Sequence, residues 1–388
     1  MTPIRILIAY VSAGAGHRRA AEALAQAIRH AFPEAIVQCR DALEDVPRWW
    51  RRLYPLTYYN LVRYAGPLWG MGFGLLDHRA VYACVQPLRR AWNRLMGRRI
   101  IQRLLRESPD LVTATHFFPA DLVSACKRAG QFTGRLVVVI TDLYPHRFWL
   151  APSADAYICA TTDTATAAQR RGIPPERLHV LGIPIASACR TPFDRQRLME
   201  RFQLDPARRT VLVTSGGDTV GPFEAVVTHL MGLEQALPRR VQLLIVCGAD
   251  ARMAERLHRK IKDSSMPARV FGFIDQIPEA MALSDIVVTK AGGLTVAEAL
   301  GRGVPLIFYF AIPGHEWWNA RHAVRHGAAL LTTRPAAVAR DVLELLQHPE
   351  RLASMRNAAQ ALSRPDAAEA IVSRVVTPLL QPGRSSDE

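Results

Sequence analysis

The sequence predicts two doubly wound α/β domains in series, and three observations carry that expectation. The 388 residues are enough for two full hydrophobic cores. Each half opens with an apolar run that feeds a glycine turn: residues 4–11 run into Gly14 and Gly16, and residues 211–214 into Ser215, Gly216 and Gly217. The pattern returns at residues 286–289, where a β-branched run meets Gly292 and Gly293 and then a helix-forming segment over 294–300.

In chain order, residues 4–11 read as a strand broken by Arg5, and 12–17 as a glycine turn. Residues 18–31 form a helix with Ala21, Leu24, Ala25 and Ile28 on one face, and 35–40 the next strand, a βαβ opening. The turn has G-x-G without a third glycine, and Asp41 lies near the place of a dinucleotide-site acid, so a nicotinamide site is one open reading. His17 is the sharper feature. It falls at the C-terminal edge of the first strand, where open α/β sheets bind ligands, and its imidazole can take up a proton near neutral pH. The competing role is a solvated polar residue at a helix start.

Residues 48–106 differ from the rest: twelve arginines, ten aromatics and a single acid, Asp77, with an apolar stretch over 66–76. The segment opens on Arg48, Trp49, Trp50, Arg51 and Arg52. Arginines mixed with Trp and Tyr suit a membrane interface. RNA binding with stacked rings, or a core helical hairpin with a solvated basic face, are the alternatives. Strands follow at 110–114, 136–141 and 156–160, with helices over 119–128 and 163–171. The strand ends place His116, Asp142 and His146 on the same edge as His17. Residues 183–192, interrupted by proline, read as a linker.

The second series has strands at 211–214, 241–247, 270–273, 286–289 and 305–310, and helices at 340–346 and 352–372. The turn at Gly292 and Gly293 lets backbone approach a phosphate, and the first helical N–H groups, at Leu294 and Thr295, point at it. Glu298, about a turn and a half inside, is placed to accept hydrogen bonds from a ribose diol. After Pro313 and Gly314 a loop delivers His315, Glu316 and Asn319. An ordinary αβ connection with a capping glycine is the plainer alternative. Residues 381–388 read as a polar, disordered tail.

Composition adds limits. Hydrophobic content of 49% and charge of 21% describe a folded globular protein, while a net charge of +15 and a pI near 10.2 point to an anionic partner, nucleic acid or an acidic membrane surface. The six cysteines are scattered without C-x-x-C, reading as buried small hydrophobes in a reducing compartment rather than disulfides or a metal site. No run approaches the ~20 apolar residues of a spanning helix, and the N-terminus is too short for a signal peptide, so the expected place is the cytoplasm.

These residues carry a resemblance. Gly14-Ala15-Gly16-His17, I-T-D-L-Y-P-H-R-F-W at 140–149, L-G-I-P-I at 181–185, T-K-A-G-G-L-T-V-A-E-A at 289–299 and I-P-G-H-E-W-W-N-A at 312–320 resemble, in order and over nearly the whole chain, the glycosyltransferases that make monoglycosyl-diacylglycerols. These are the monogalactosyldiacylglycerol synthases and bacterial diacylglycerol glucosyltransferases. Ala15 replaces a family glycine, and His315 stands where Gln is common. The resemblance implies a GT-B fold, two Rossmann-like domains facing across a cleft, with residues 1–186 taking the acceptor and the membrane, 187–365 the UDP-sugar, and 366–388 a helix end and tail. It implies an inverting hexosyl transfer, glucose or galactose, from UDP-sugar to diacylglycerol; the basic aromatic segment adds peripheral attachment at the cytoplasmic face of the membrane, with anionic lipids as partners and no nucleic acid. His17 would be the base and Asp142 its orienter. Ser215, Gly216, Gly217, Phe273, Gly292, Gly293, Leu294, Thr295, Glu298, His315, Glu316 and Asn319 would bind the donor, and Gly14, Gly16, His116, His146 and Trp149 the acceptor. With no D-x-D in the chain, no metal and no other cofactor is expected. The enzyme that glycosylates lipid I, an N-acetylglucosamine transferase, shares the W-N-A ending and is the nearest alternative.

Overall fold

A computed structural model describes residues 3–12, 14–217 and 219–381. Ala13 of the first glycine turn and the tail beyond residue 381 lie outside the described residues. The chain forms two compact units: the first holds the chain up to Ala186, Pro313–His315 and the chain from Asp366, and the second holds Ser187–Ile312 and Glu316–Pro365.

The first unit runs β1 (Arg5–Tyr10), α1 (Ala15–Ala31), β2 (Ile36–Asp41), α2 (Arg48–Asp77), α3 (Arg79–Met96), α4 (Arg98–Glu107), β3 (Leu111–Ala114), α5 (Phe117–Arg128), β4 (Arg135–Val139), β5 (Ala156–Cys159), α6 (Thr162–Arg170) and β6 (Leu178–Val180). The strands pair in parallel in the order β2-β1-β3-β4-β5-β6. Strands covered on both faces need apolar residues at successive positions. Leu136 and Val138 accordingly pack into one core layer, and Val137 and Val139 into the other with Leu24 and Ile28 of α1.

The second unit runs α7 (Arg195–Arg201), β7 (Arg209–Thr214), α8 (Phe223–Met231), α9 (Leu233–Ala236), β8 (Val241–Val246), α10 (Ala251–Lys262), β9 (Ala268–Phe271), α11 (Ile277–Ala282), β10 (Ile286–Lys290), α12 (Gly293–Gly301), β11 (Leu306–Phe310), α13 (His315–Arg325), β12 (Ala329–Leu331), α14 (Pro335–Gln347) and α15 (Pro349–Leu362). Its sheet is parallel throughout, in the order β12-β11-β10-β7-β8-β9. The chain then returns to the first unit through α16 (Ala367–Ile371) and α17 (Thr377–Leu380), where Ile371, Val375 and Val376 join the layer over β1 and α1.

Several expectations are corrected. The helix expected over 352–372 is broken: Ser363 turns extended, at φ −64 and ψ 140, because Pro365 two residues on disfavours continuation. His17 lies in the first turn of α1, not in the turn before it, because that helix starts at Ala15. His315, Glu316 and Asn319 lie on α13, not on a loop. The basic segment is three helices rather than a hairpin, and α2 is kinked at Ala65, where φ is −137. Pro67 explains the kink, since its ring excludes the regular carbonyl contact four residues back. The three-residue edge strands β6 and β12 went unread, being too short to show a period.

One glycine at the carboxyl edge of the second sheet stands where no side chain fits. Gly248, after β8, has φ +61, and a Cβ on it would stand 2.4 Å from the Gly216 carbonyl oxygen and 2.8 Å from that of Gly217. A Gly248→Ala variant should therefore lose about 2 kcal/mol or more, from the left-handed backbone and the displaced loop together. Thermal unfolding checks this, and an unchanged melting temperature would show that the loop yields freely.

Candidate active site

In an open parallel sheet, ligands bind where the strand order reverses, at the carboxyl ends of the strands. The first sheet reverses between β1 and β3, and the second between β7 and β10. Polar residues gather at both places.

At the first, the His17 ring is fixed through Nδ1, which lies 2.7 Å from the Thr115 carbonyl oxygen and 2.9 Å from Thr141 Oγ1. A carbonyl oxygen only accepts, so Nδ1 carries the proton and Nε2 keeps its lone pair. Thr115 Oγ1 donates back to the His17 carbonyl at 2.9 Å, tying the first turn of α1 to the end of β3. Burial pushes the imidazole below its usual range; the Asp142 charge and the Thr115 hydrogen bond act in the opposite direction without reversing the shift. Asp142 thus acts on His17 by charge, while Thr115 and Thr141 orient the ring.

The other expected acceptor residues surround it. His116 stands edge-on to His17, ring centroids 4.7 Å apart, and its Nδ1 accepts from Phe118 N as the cap of α5. Burial holds it neutral, well below the ordinary histidine range. Trp149 is buried 6.4 Å from the His17 ring centroid. His146 has both nitrogens engaged: Nδ1 accepts from Phe148 N, and Nε2 donates to the Phe73 carbonyl at 2.9 Å. Burial pushes it down to about 4. Its bonds serve to tie α2 to the sheet edge. Gly14 caps α1 with φ +98, and Gly16 lies in its first turn. Asp41 Oδ1 accepts from Ser12 N and Leu43 N, so that oxygen braces the loop that a dinucleotide would need.

At the second reversal, Gly292 caps α12 without a side-chain capping hydrogen bond. The N–H groups of Gly293, Leu294 and Thr295 have no carbonyl inside the helix to bond. The loop of Ser215, Gly216 and Gly217 follows β7, with Gly216 at φ +74 and Ser215 Oγ buried without a hydrogen-bond partner. Between the two glycine turns stands Lys290, which sequence reading passed over. A Cβ on Gly292 would lie 3.3 Å from its Nζ, and one on Gly216 would lie 3.9 Å from it. The ammonium pairs with Glu316 Oε1 at 2.5 Å, and Glu316 Oε2 accepts from Ile312 N at 3.0 Å. Asn319 Nδ2 donates to the Ala291 carbonyl at 3.0 Å. Glu316 and Asn319, expected to bind the donor, brace the glycine turn and its lysine. Glu298 is 2% exposed inside α12, Phe273 is half exposed just past β9, and His315 groups with the first unit together with Pro313 and Gly314. The only sequence sign of Lys290 is its position at the end of a strand ahead of two glycines.

The basic helices are pinned at their acids. Asp77 Oδ2 accepts from Tyr144 Oη at 2.7 Å and Arg171 Nη2 at 2.5 Å, and Oδ1 accepts from Arg147 N at 2.8 Å. Burial alone would raise this carboxyl, yet the hydrogen bonds from Arg171 and Tyr144 hold it below its usual range. Asp121 on α5 takes Asn93 Nδ2 at 2.8 Å and Arg89 Nη2 at 3.2 Å. Trp50 turns inward against the core, whereas Trp49 is exposed along with Leu56, Tyr64, Leu68, Met71 and Leu88, and Arg48, Arg51 and Arg52 are exposed beside them. Trp50 is thereby separated from the expected surface group. Among the described residues no helix is long and apolar enough to cross a membrane.

Comparison with known proteins assigns the class. Residues 17–185 match the family described as monogalactosyldiacylglycerol (MGDG) synthase, and residues 210–371 match the glycosyltransferase family 28 C-terminal domain. The chain is a glycosyltransferase. Its family is that of the monogalactosyldiacylglycerol synthases and bacterial diacylglycerol glucosyltransferases. It is 29% identical to monogalactosyldiacylglycerol synthase 1, chloroplastic, of Arabidopsis thaliana, over 95% of this chain and 70% of that protein. It is 26% identical to a processive diacylglycerol beta-glucosyltransferase of Bacillus cytotoxicus, over 95% of this chain and 92% of that one. Among solved structures, the S. aureus MnaA–UDP co-structure superposes with a TM-score of 0.67 at 15% identity, covering 99% of this chain and 100% of that one. MurG of Acinetobacter baumannii gives 0.64 at 18%, covering 97% and 100%. These two likenesses describe the fold, two Rossmann-like α/β domains.

Lys290 and Glu316 are both mostly buried, with side chains 15% and 3% exposed. Removing one partner of such a pair strands the other charge. Lys290→Ala should destabilise the second unit by about 3 kcal/mol, while the double change Lys290→Met with Glu316→Gln, which keeps an acceptor for Ile312 N, should recover most of that loss. Urea melts of the three proteins test it, and equal losses in the single and double variants would deny the pair its role.

Proposed function

We propose that the protein transfers a hexose, glucose or galactose, from a UDP-sugar to the free hydroxyl of diacylglycerol with inversion at the anomeric carbon. The observation that carries this reading is His17: it is a neutral imidazole with an unencumbered Nε2 at the first sheet's switch point, and the match to the diacylglycerol-glycosylating family begins at that residue. Nε2 takes the acceptor hydroxyl's proton as its oxygen bonds to the anomeric carbon and the bond to the diphosphate breaks. The charge that moves onto UDP is met by the N–H groups of α12, by the dipole of that helix and by Lys290, which can turn from Glu316 toward a phosphate. This chemistry calls on no metal ion. Glu298 is assigned the ribose diol, and His315 the sugar hydroxyls. The test is to incubate the protein with diacylglycerol and a panel of UDP-sugars and to follow the lipids by mass spectrometry. A product only with UDP-N-acetylglucosamine, or only with an acceptor other than diacylglycerol, would move the assignment toward the lipid I type of enzyme.

The base assignment has a pH signature. A base works when deprotonated, and burial lowers the His17 pKa from 6.5. Turnover should therefore stay flat as pH falls from 8 to about 6.5 and drop only below that. Asp142→Asn removes a charge that favours the imidazolium, so the acid limb should move further down. His17→Ala should lose roughly 10²–10⁴-fold in turnover with UDP affinity nearly unchanged. Near-normal transfer by that variant at pH 7 would exclude His17.

The acceptor lives in a bilayer, and α2 and α3 offer the surface to reach it. We infer peripheral attachment to the anionic cytoplasmic face of the membrane, with exposed Leu, Met, Tyr and Trp side chains entering the interface and arginines meeting head groups at about 1 kcal/mol each near the surface. Flotation with phosphatidylglycerol vesicles should exceed that with neutral ones and weaken with salt without vanishing. Arg51→Ser with Arg52→Ser should lower the salt-sensitive part, and Leu68→Ser with Met71→Ser the salt-resistant part. Equal flotation on both lipids, or no response to either pair, would return these helices to a solvated role.

A further inference from the structure

Opposite the glycine turns, at the amino ends of β7, β10 and β11, the second unit holds a pocket of about 390 Å³ lined by Arg195, Arg209, Arg302, Arg356 and one acid, Asp285. Asp285 answers only part of this charge. Its Oδ1 takes Arg209 Nη1 at 2.8 Å, with Arg356 Nη2 3.8 Å away, and its Oδ2 accepts from Thr210 N at 2.9 Å. Arg195 meets a backbone carbonyl, that of Ala282, at 3.4 Å. Arg302 donates to the carbonyls of Ala188 and Thr191, lies 4.2 Å over the Phe193 ring, and keeps its Nε buried without a partner. The Arg302 charge is pressed by burial and eased only from a distance by Cys189 and Glu279. Four guanidinium groups against one carboxylate leave the lining three positive charges in excess.

Like charges held around one concavity repel, and an anion relieves them. Guanidinium forks match phosphate oxygens two at a time, which a point charge does not. The volume exceeds a bare ion and falls in the range of small-molecule sites. An apolar ligand is disfavoured by so polar a lining. We propose that this pocket binds a phosphate-bearing small ligand, a phosphate monoester or a diphosphate, at a site separate from the donor cradle. The two lie at opposite ends of the same strands: Arg209 begins β7 and Ser215 follows its end, and Asp285 precedes β10 while Lys290 closes it. A soluble diphosphate and the head group of phosphatidic acid share the required chemistry.

Calorimetric titration of the full chain with inorganic diphosphate, and separately with a short-chain phosphatidic acid kept below its micellar concentration, tests this. At least one should bind saturably. Arg195→Ser with Arg356→Ser, both at accessible positions, should weaken that binding at least ~10-fold, with an unchanged melting temperature. The control, Arg252→Ser with Arg259→Ser, removes the same charge from α10 and should change affinity by less than about twofold. The probe that binds more tightly identifies the source of the phosphate. No saturable binding of either probe, or equal weakening in the two double variants, overturns the proposal.

Discussion

A parallel sheet leaves a crevice wherever its strand connections depart in opposite directions, and the two candidate sites of this protein lie at two such crevices. At β1 and β3 the Thr115 carbonyl, just past the last ladder bond, is free to take the Nδ1 proton of His17. At β7 and β10 the same geometry brings two glycine turns and a lysine together. In both places the backbone does the positioning: a carbonyl sets a tautomer in one, and the first-turn N–H groups of α12 start beside a glycine turn in the other.

The helices between β2 and β3 answer a different physical demand. A segment with twelve arginines and one acid cannot bury itself by ion pairing within its own sequence. Its single acid, Asp77, reaches Arg171 at the end of α6 and Tyr144 in the loop after β4, and Asp121 and Asp45, which lie outside the segment, take Arg89, Asn93 and Arg103. Anchored at these points, α2 and α3 leave leucines, Met71 and Trp49 on the outside. Exposed apolar side chains beside exposed arginines give these helices an amphipathic outer surface.

The second unit spends its sheet ends on opposite kinds of electrostatics. At the carboxyl edge a lysine and a glutamate satisfy each other in near-complete burial, a device that keeps a cation close to the glycine turns without leaving it unpaired. At the amino edge arginines outnumber the one acid, and the excess is left open to solvent. The strands between the two edges are mostly apolar, with Thr210, Thr214, Gln242 and Thr289 as buried polar exceptions.

The sequence by itself determined the doubly wound class, both glycine turns and the placing of His17 at the first strand's carboxyl edge, though not its seat inside α1, because each is a local signal: apolar runs and φ-permissive residues within a few positions. Tertiary structure decided what those residues touch. Thr141 meets His17 across 124 positions of sequence, Arg171 meets Asp77 across 94, and Gly248 fits under the Gly216 turn only because β7 and β8 lie side by side in register. Glu316 and Asn319 are legible as polar residues near a turn, but that they brace Lys290, Ile312 and Ala291 follows from α13 packing back on β10. Such pairings are set by sheet register and helix packing, which no short window of sequence contains.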